Sequence, residues 1–296
     1  VRKRILGVFK AKKITLFIAS KSYNQKIPGV KKQFKSYEDA LKKCSPNLVY
    51  ISLPNSKHFF WAKRSLKYKY NTIVDKPITS NEKQLKELIE ISKKNKKLLA
   101  ESTFFNYHLQ IKRIIILHKH NKYKKIYSEF IIPKPHKKSL LMSKKFQGGV
   151  LMDMGPYISS VPRLFNLKTI LSKKIKIKKS KEGLITSIKF LINFNEGKYN
   201  GVFEFGKKYR NQIKISSKGI TSVVNRAFSP PDNENLNLKL ISKKDKKIIK
   251  LKKDNCFRNF FTEILKNLSK KKYYFYYKRM SEDVNFRSNL IRRLSD

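Results

Sequence analysis

Lys76 stands immediately before Pro77 in Val74-Asp-Lys-Pro77, at the end of an apolar run. Proline fixes its own φ and admits a cis peptide, so the lysine can be held in one orientation at a sheet edge. An ammonium placed there can lower the pKa of a neighbouring hydroxyl and hydrogen-bond a substrate oxygen, although by composition it is also one lysine among many. In Gly148-Gly-Val-Leu-Met-Asp153-Met-Gly-Pro-Tyr157 a carboxylate and a phenol lie four residues apart, hence on one face of a helix. Val150, Leu151 and Ile158 make that helix mostly buried, where a carboxylate needs a partner and a phenol beside a lysine can give and take a proton. Leu53-Pro-Asn55, with His58 one turn later, closes another apolar strand. Ligands of parallel sheets bind beyond the carboxyl ends of strands, so this loop can face a cofactor; it also reads as an ordinary turn with Asn55 or Ser56 as helix N-cap. Cys44 and Cys256 are isolated, which suggests neither a disulfide framework nor a metal site.

The elements that must carry these residues alternate through residues 1–103. An amphipathic helix over 2–12 precedes a strand at Ile14–Ala19, then a helix near Ser36–Lys43 with Ser36 as cap, and a strand at Leu48–Leu53. A helix at Ser56–Lys67, a strand at Thr72–Asp75, a helix at Asn81–Asn95 and a strand at Lys97–Glu101 follow. Such alternation predicts a parallel α/β sheet. From about residue 122 strands dominate: Lys125–Ile132, then a run from Lys173 to Val224 interrupted by Asn195-Glu-Gly197, a hairpin signal. With helices at Gly149–Phe165, Cys256–Leu268 and Ser281–Leu294, the last with polar faces, this predicts an open, mostly antiparallel sheet with helices on one face. The division falls between 1–105 and 106–296.

The chain has 296 residues and a formal net charge of +50, from 70 Lys plus Arg against 20 Asp plus Glu. Clustered cations suit nucleic acid, but Lys outnumbers Arg nearly five to one, whereas base and phosphate readers favour the arginine fork. Abundant Ile, Asn, Phe and Tyr beside Lys point to A/T-rich codons, and no specific nucleic-acid partner is expected. No run reaches the ~18 apolar residues of a membrane span and the N-terminus lacks a signal-like apolar region, so a cytoplasmic protein without a membrane partner is expected. The basic runs Lys93–Lys97, Lys173–Lys181 and Lys243–Lys253 are assigned to solvated helix ends and sheet edges.

Taken together, Pro-Asn-x-x-His, then Asp-Lys-Pro some twenty residues later, then Glu101-Ser-Thr-Phe-Phe-Asn-Tyr-His108, then Gly-Gly-x-x-x-Asp-x-Gly-x-Tyr resemble the Gfo/Idh/MocA family in content, order and spacing. The resemblance covers roughly residues 1–167 and continues more loosely to the end. It implies a Rossmann-like dinucleotide-binding domain followed by a sheet domain that lines the substrate site and mediates homo-oligomers. It further implies hydride transfer between a nicotinamide cofactor and a hydroxyl or carbonyl of a sugar, nucleotide sugar or polyol. Lys76 matches the family's lysine, with Asp75 in place of a glutamate; Asp153 matches the substrate-positioning aspartate and Tyr157 the proton-transfer position, with Lys76 favouring the phenolate. His108 matches a substrate-side histidine, and Pro54, Asn55, His58, Asp75, Lys76 and Pro77 fall at the cofactor. At the strand end Ala19-Ser-Lys21, Ser20 and Lys21 suit the 2′-phosphate of NADP, where an acid would suit NAD.

The family opens with a strand and a Gly-x-Gly-x-x-Gly turn at a helix N-terminus, and that spacing is absent among the ten glycines. The chain therefore reads as beginning one strand and one loop late, with the first strand missing. Two function classes follow: an oxidoreductase using NADP rather than NAD, and a non-catalytic relative binding a sugar-like ligand or a partner.

Overall fold

The computed structural model describes residues 2–9, 14–21, 25–271 and 273–292. Helix α1 (Arg2–Phe9) is followed by strands β1 (Phe17–Ala19) and β2 (Lys32–Phe34), which pair in parallel. Of the expected first helix, Lys10, Ala11 and Lys12 lie outside the described residues. Strand β1 is shorter than the apolar run because its three-residue partner, which no sequence pattern announced, pairs only Phe17, Ile18 and Ala19.

Next come α2 (Tyr37–Cys44), β3 (Leu48–Ile51), α3 (Asn55–Lys67), β4 (Asn71–Val74), α4 (Glu82–Lys94) and β5 (Leu99–Glu101). Local chemistry sets the helix starts: Ser36 Oγ accepts from the amide of Asp39 at 3.1 Å, and Asn81 Oδ1 from that of Gln84 at 2.9 Å. Strands β3, β4 and β5 form a parallel sheet in that order, and β4 is buried almost throughout, as expected of a central strand covered on both faces.

Residues 104–107 form a single 3-10 turn leading into α5 (Leu109–His118), an element the sequence reading left blank. Strand β6 (Lys124–Pro133) and helix α6 (Val150–Leu164) precede β7 (Ile170–Lys179), β8 (Ile185–Phe194), β9 (Gly197–Gly206), β10 (Arg210–Ser217) and β11 (Ile220–Asn225). Strands β12 (Asn237–Ile241) and β13 (Lys246–Lys250) complete an eight-stranded sheet of order β13-β12-β11-β10-β6-β9-β8-β7. All its pairings are antiparallel except β6 with β9. Lysines crowd both edge strands, β7 and β13, where charge disfavours pairing with another chain.

Helices α7 (Cys256–Ser269) and α8 (Tyr274–Ile291) end the fold. They return to the first sheet, where Phe257, Phe260 and Phe261 bury against the core of β3–β5 and against Ile5 and Val8 of α1. The last helix begins seven residues earlier than its polar pattern suggested, while residues 293 and 294 lie outside the described residues. It is not polar-faced: Tyr276, Tyr277, Met280, Val284 and Leu290 are buried, and so are Asp283 and Arg287. Those two find partners, Asp283 in Arg163 of α6 and Arg287 in the carbonyl of Thr79 at 2.7 Å. Buried pairs of this kind imitate a solvated face in the sequence. A second core lies between the eight-stranded sheet and α5 and α6. Among the described residues no helix is long and apolar enough to cross a membrane.

Candidate active site

Strand β4 ends at Val74, so Asp75, Lys76 and Pro77 leave the sheet at its carboxyl edge, and the Lys76–Pro77 peptide is cis. Opposite them stands the start of α6. Gly149 enters that helix at φ 90°, a left-handed conformation suited to glycine. A Cβ on Gly148 would lie 2.4 Å from the carbonyl oxygen of Leu141, so the pair of glycines lets the chain turn tightly into the helix.

Lys76 Nζ donates to Asp153 Oδ1 at 2.6 Å and to the Asp153 carbonyl at 2.5 Å, and lies 4.9 Å from the centre of the Tyr157 ring. Burial opposes the ammonium charge, yet Asp153, Tyr157 and Asp75 hold the Lys76 pKa above the ordinary lysine value. Tyr157 sits in an aromatic box, 5.5 Å from Phe105, 5.5 Å from Phe130 and 5.3 Å from Phe228. Burial there pushes its phenol up by more than Lys76 pulls it down. The expected phenolate is therefore corrected: in this geometry Asp153 engages the lysine and Tyr157 keeps its proton.

Asp75 turns back toward the sheet. Its Oδ1 accepts from the Lys76 amide at 3.0 Å and from Ser102 Oγ at 3.1 Å, and its Oδ2 from Ser52 Oγ at 3.3 Å. The shorter acid thus pins the backbone of the lysine loop and acts on the ammonium only through its field.

His58 does not meet the expectation of a direct cofactor contact. Its ring is buried, with Nδ1 2.7 Å from the Pro77 carbonyl and Nε2 2.7 Å from the Leu53 carbonyl. The ring is thus wedged between the loop after β3 and the lysine loop, with a carbonyl of each within hydrogen-bonding distance. Asn55 is corrected in part: its amide nitrogen donates to the Gln147 carbonyl at 2.9 Å, joining α3 to the loop before α6. Pro54, and neither Asn55 nor Ser56, occupies the cap position of α3, without a side-chain bond. His108 caps α5, its Nδ1 accepting from the Gln110 amide at 3.3 Å, while its buried Nε2 has no hydrogen-bond partner. Burial lowers its pKa, and the structure shows it as a capping residue rather than as part of the Lys76 cluster.

Ser20 and Lys21 lie past the end of β1. Lys21, Lys35, Ser36, Tyr37 and Trp61 line an open cleft of about 420 Å³, with Trp61 edge-on to Tyr37 at 5.1 Å. Glu38 lines the cleft as well, its carboxylate bound to Arg64 and accepting from the Tyr68 hydroxyl at 2.6 Å. Two ammonium groups and a hydroxyl make a donor set suited to a phosphate.

The structure thus brings Lys76, Asp153 and Tyr157 together, puts Asp75, Pro77, His58 and Asn55 behind them as supports, and sets Lys21, but not Ser20, in the lining of a separate cleft. Sequence reasoning missed Ser52, Ser102 and Gln147, which carry no motif, and the aromatic box of Phe105, Phe130 and Phe228, whose members come from three separate segments. Lys35 and Trp61 had no local signal either.

Residues 10–103 match the model of an oxidoreductase family with an NAD-binding Rossmann fold, the Gfo/Idh/MocA family. A dTDP-3,4-didehydro-2,6-dideoxy-alpha-D-glucose 3-reductase from Saccharopolyspora spinosa is 22% identical over 200 residues, 66% of this chain and 60% of that protein. The reductase of the same name from Actinomadura kijaniata is 26% identical over 132 residues, 44% of this chain and 40% of that one. The matched stretches thus span about 40 to 60% of these curated relatives. In three dimensions the chain is similar to a 3-ketoreductase from Actinomadura kijaniata in complex with NADP and TDP-benzene, at TM-score 0.87 and 16% identity, covering 97% of this chain and 92% of that one. An aldose-aldose oxidoreductase from Caulobacter crescentus complexed with glycerol gives TM-score 0.83 at 13% identity, covering 99% and 93%. At these identities the structural likeness establishes the fold.

Proposed function

We propose, from the match of residues 10–103 to the Gfo/Idh/MocA oxidoreductase family, that this chain reduces a carbonyl of a sugar, nucleotide sugar or polyol with NADP as cofactor. The observation that carries the reading is the convergence of Lys76, Asp153 and Tyr157, from the end of β4 and the first turns of α6, on one point beyond the sheet's carboxyl edge. The 3-reductases among its relatives and the NADP-bound structural neighbour support substrate class and cofactor alike.

The cleft at Lys21 fits the cofactor: Lys21 and Lys35, with Ser36, would hold the 2′-phosphate, and the carboxylate of Glu38, which also lines the cleft, is neutralised by Arg64. When bound, the nicotinamide supplies the hydride chemistry. The protein supplies the proton and the geometry. Tyr157, kept protonated by its box of Phe105, Phe130 and Phe228, donates to the substrate carbonyl oxygen as negative charge builds there. Lys76, cationic and oriented by Asp153, hydrogen-bonds the same oxygen and stabilises the oxyanion. Asp153 accepts from a neighbouring substrate hydroxyl while keeping the lysine in place. Asp75, Asn55 and His58 are positioning residues for the lysine loop.

The same reading divides the chain near residue 105, places it in the cytoplasm and lets the open sheet face pair with a second copy. Size-exclusion chromatography giving a monomer would remove the last of these. The test of function is NADPH oxidation with a panel of keto sugars and nucleotide keto sugars, in wild type, Lys76→Met and Tyr157→Phe. We expect turnover in wild type, loss of about 10²–10⁴-fold in kcat for Tyr157→Phe, and NADPH binding by fluorescence retained in both variants. Cofactor binding without turnover in any of the three favours a non-catalytic relative instead.

A further inference from the structure

Beyond the Lys76 cluster, a chamber of about 230 Å³ opens between residues 103–107, α5, the last turn of α6, and helices α7 and α8. None of Lys76, Asp153 and Tyr157 lines it. Its inner acids are already engaged. Asp283 accepts both arms of Arg163 at 2.8 Å, and Glu101 accepts from Thr103 Oγ at 2.6 Å and from the Ile78 amide at 2.8 Å. Glu263 stands 3.6 Å from Arg279 and accepts from the Tyr276 hydroxyl at 3.3 Å.

What remains open is specific. Asn106 Oδ1 is buried without a hydrogen-bond partner, a situation that costs about 1–3 kcal/mol unless a donor meets it. Lys112 lines the chamber and is exposed, and Arg279, spread over the Phe275 ring at 4.6 Å, pairs with Glu263 and hydrogen-bonds the Tyr107 side chain, which leaves part of its five-donor fork open. The lining balances three acids with three cations, and what stays open is the Lys112 ammonium, the remaining N–H groups of Arg279 and one neutral acceptor inside. An apolar cavity of ~150 Å³ holds benzene, so by volume this chamber takes roughly nine non-hydrogen atoms.

We propose that the chamber is a second ligand site, distinct from the candidate active site, for a small hydroxycarboxylate. The carboxylate faces Lys112 and Arg279 and a hydroxyl donates to Asn106 Oδ1. The inference does not depend on the oxidoreductase reading. Glu101 links the two places, since the amide it holds belongs to Ile78, two residues after Lys76.

The probe is L-malate, with erythritol as an uncharged polyol of similar size, titrated calorimetrically into the full chain at physiological salt. We expect one malate site, weakened at least about tenfold in Asn106→Leu and in Lys112→Glu, unchanged in Lys76→Met, and no comparable erythritol binding. Lys112→Glu is a change at an exposed position, so its result stands even if Asn106→Leu folds poorly. Absence of saturable malate binding, equal binding of erythritol, wild-type affinity in Lys112→Glu, or loss of binding in Lys76→Met each overturns the proposal. Retained NADPH turnover alongside any of these leaves the oxidoreductase reading standing.

Discussion

Replacing Asp283 by Asn tests whether the buried ion pair between α6 and α8 stabilises the fold or burdens it. Asp283 and Arg163 meet through two bonds of 2.8 Å, with side-chain exposures of 8% and 16%. Burial pushes the Asp283 carboxyl from 3.8 up to about 6, outweighing the pull of Arg163. The difference, 6 − 3.8, at 1.36 kcal/mol per pH unit is about 3 kcal/mol. Because the folded pKa lies above the unfolded one, the native state holds this proton more tightly. The contribution to stability is therefore greatest below about pH 4 and is lost as pH rises to about 6. Asn carries no such proton. The difference in unfolding free energy between Asp283→Asn and wild type should move in favour of the variant by about 2 kcal/mol between about pH 4 and about pH 7. Urea denaturation of both proteins across that range measures it, and other titrating groups cancel in the difference. If the difference moves toward wild type as pH rises, Arg163 outweighs burial and the reasoning is wrong.

Lys21→Ala should weaken NADP binding about 10–100-fold, the worth of a charge-assisted hydrogen bond, and leave NAD binding unchanged; an equal loss for both cofactors would place the 2′-phosphate elsewhere. Gly148→Ala must push the start of α6 off the Leu141 carbonyl, and a loss of about 1–3 kcal/mol in chemical denaturation is expected, with wild-type stability arguing against the tight approach. Phe260→Ala should cost about 3–5 kcal/mol, since the ring is fully buried among Phe104, Tyr107 and Phe261. A loss under about 1 kcal/mol would mean that α7 contributes little to the first core. Ser36→Ala should cost about 1 kcal/mol through the lost cap of α2, read by the same method, and no change would show that the cap is dispensable.

Much of the frame was legible in the residues. Caps, apolar runs and turn signals act over a few positions, so Ser36, the β4 run and the Asn195–Gly197 turn declared their elements. The motifs around Lys76, Asp153 and Tyr157 were legible because their spacing is local to one loop and one helix. Strand β2 was not, since a three-residue edge strand has no room for a period, and α5 passed unread although His108 as cap and Ile111 and Ile114 at helical spacing mark it. The polar pattern of α8 misled because Asp283 and Arg287 are buried against Arg163 and the Thr79 carbonyl, which composition cannot distinguish from solvation.

By itself, then, the sequence determined the alternation of strands and helices, the change to an antiparallel sheet and the residue types brought to the site. Only the tertiary structure decided which partner each polar group takes: Asp153 as well as Tyr157 for Lys76, main-chain carbonyls for His58, and Ser52 and Ser102 for Asp75. It alone returned α7 and α8 to the first core and raised the proton affinity of Tyr157. The reason is physical: propensity and spacing are properties of neighbours along the chain, whereas burial and Coulomb interaction depend on distances that exist only after distant segments have packed.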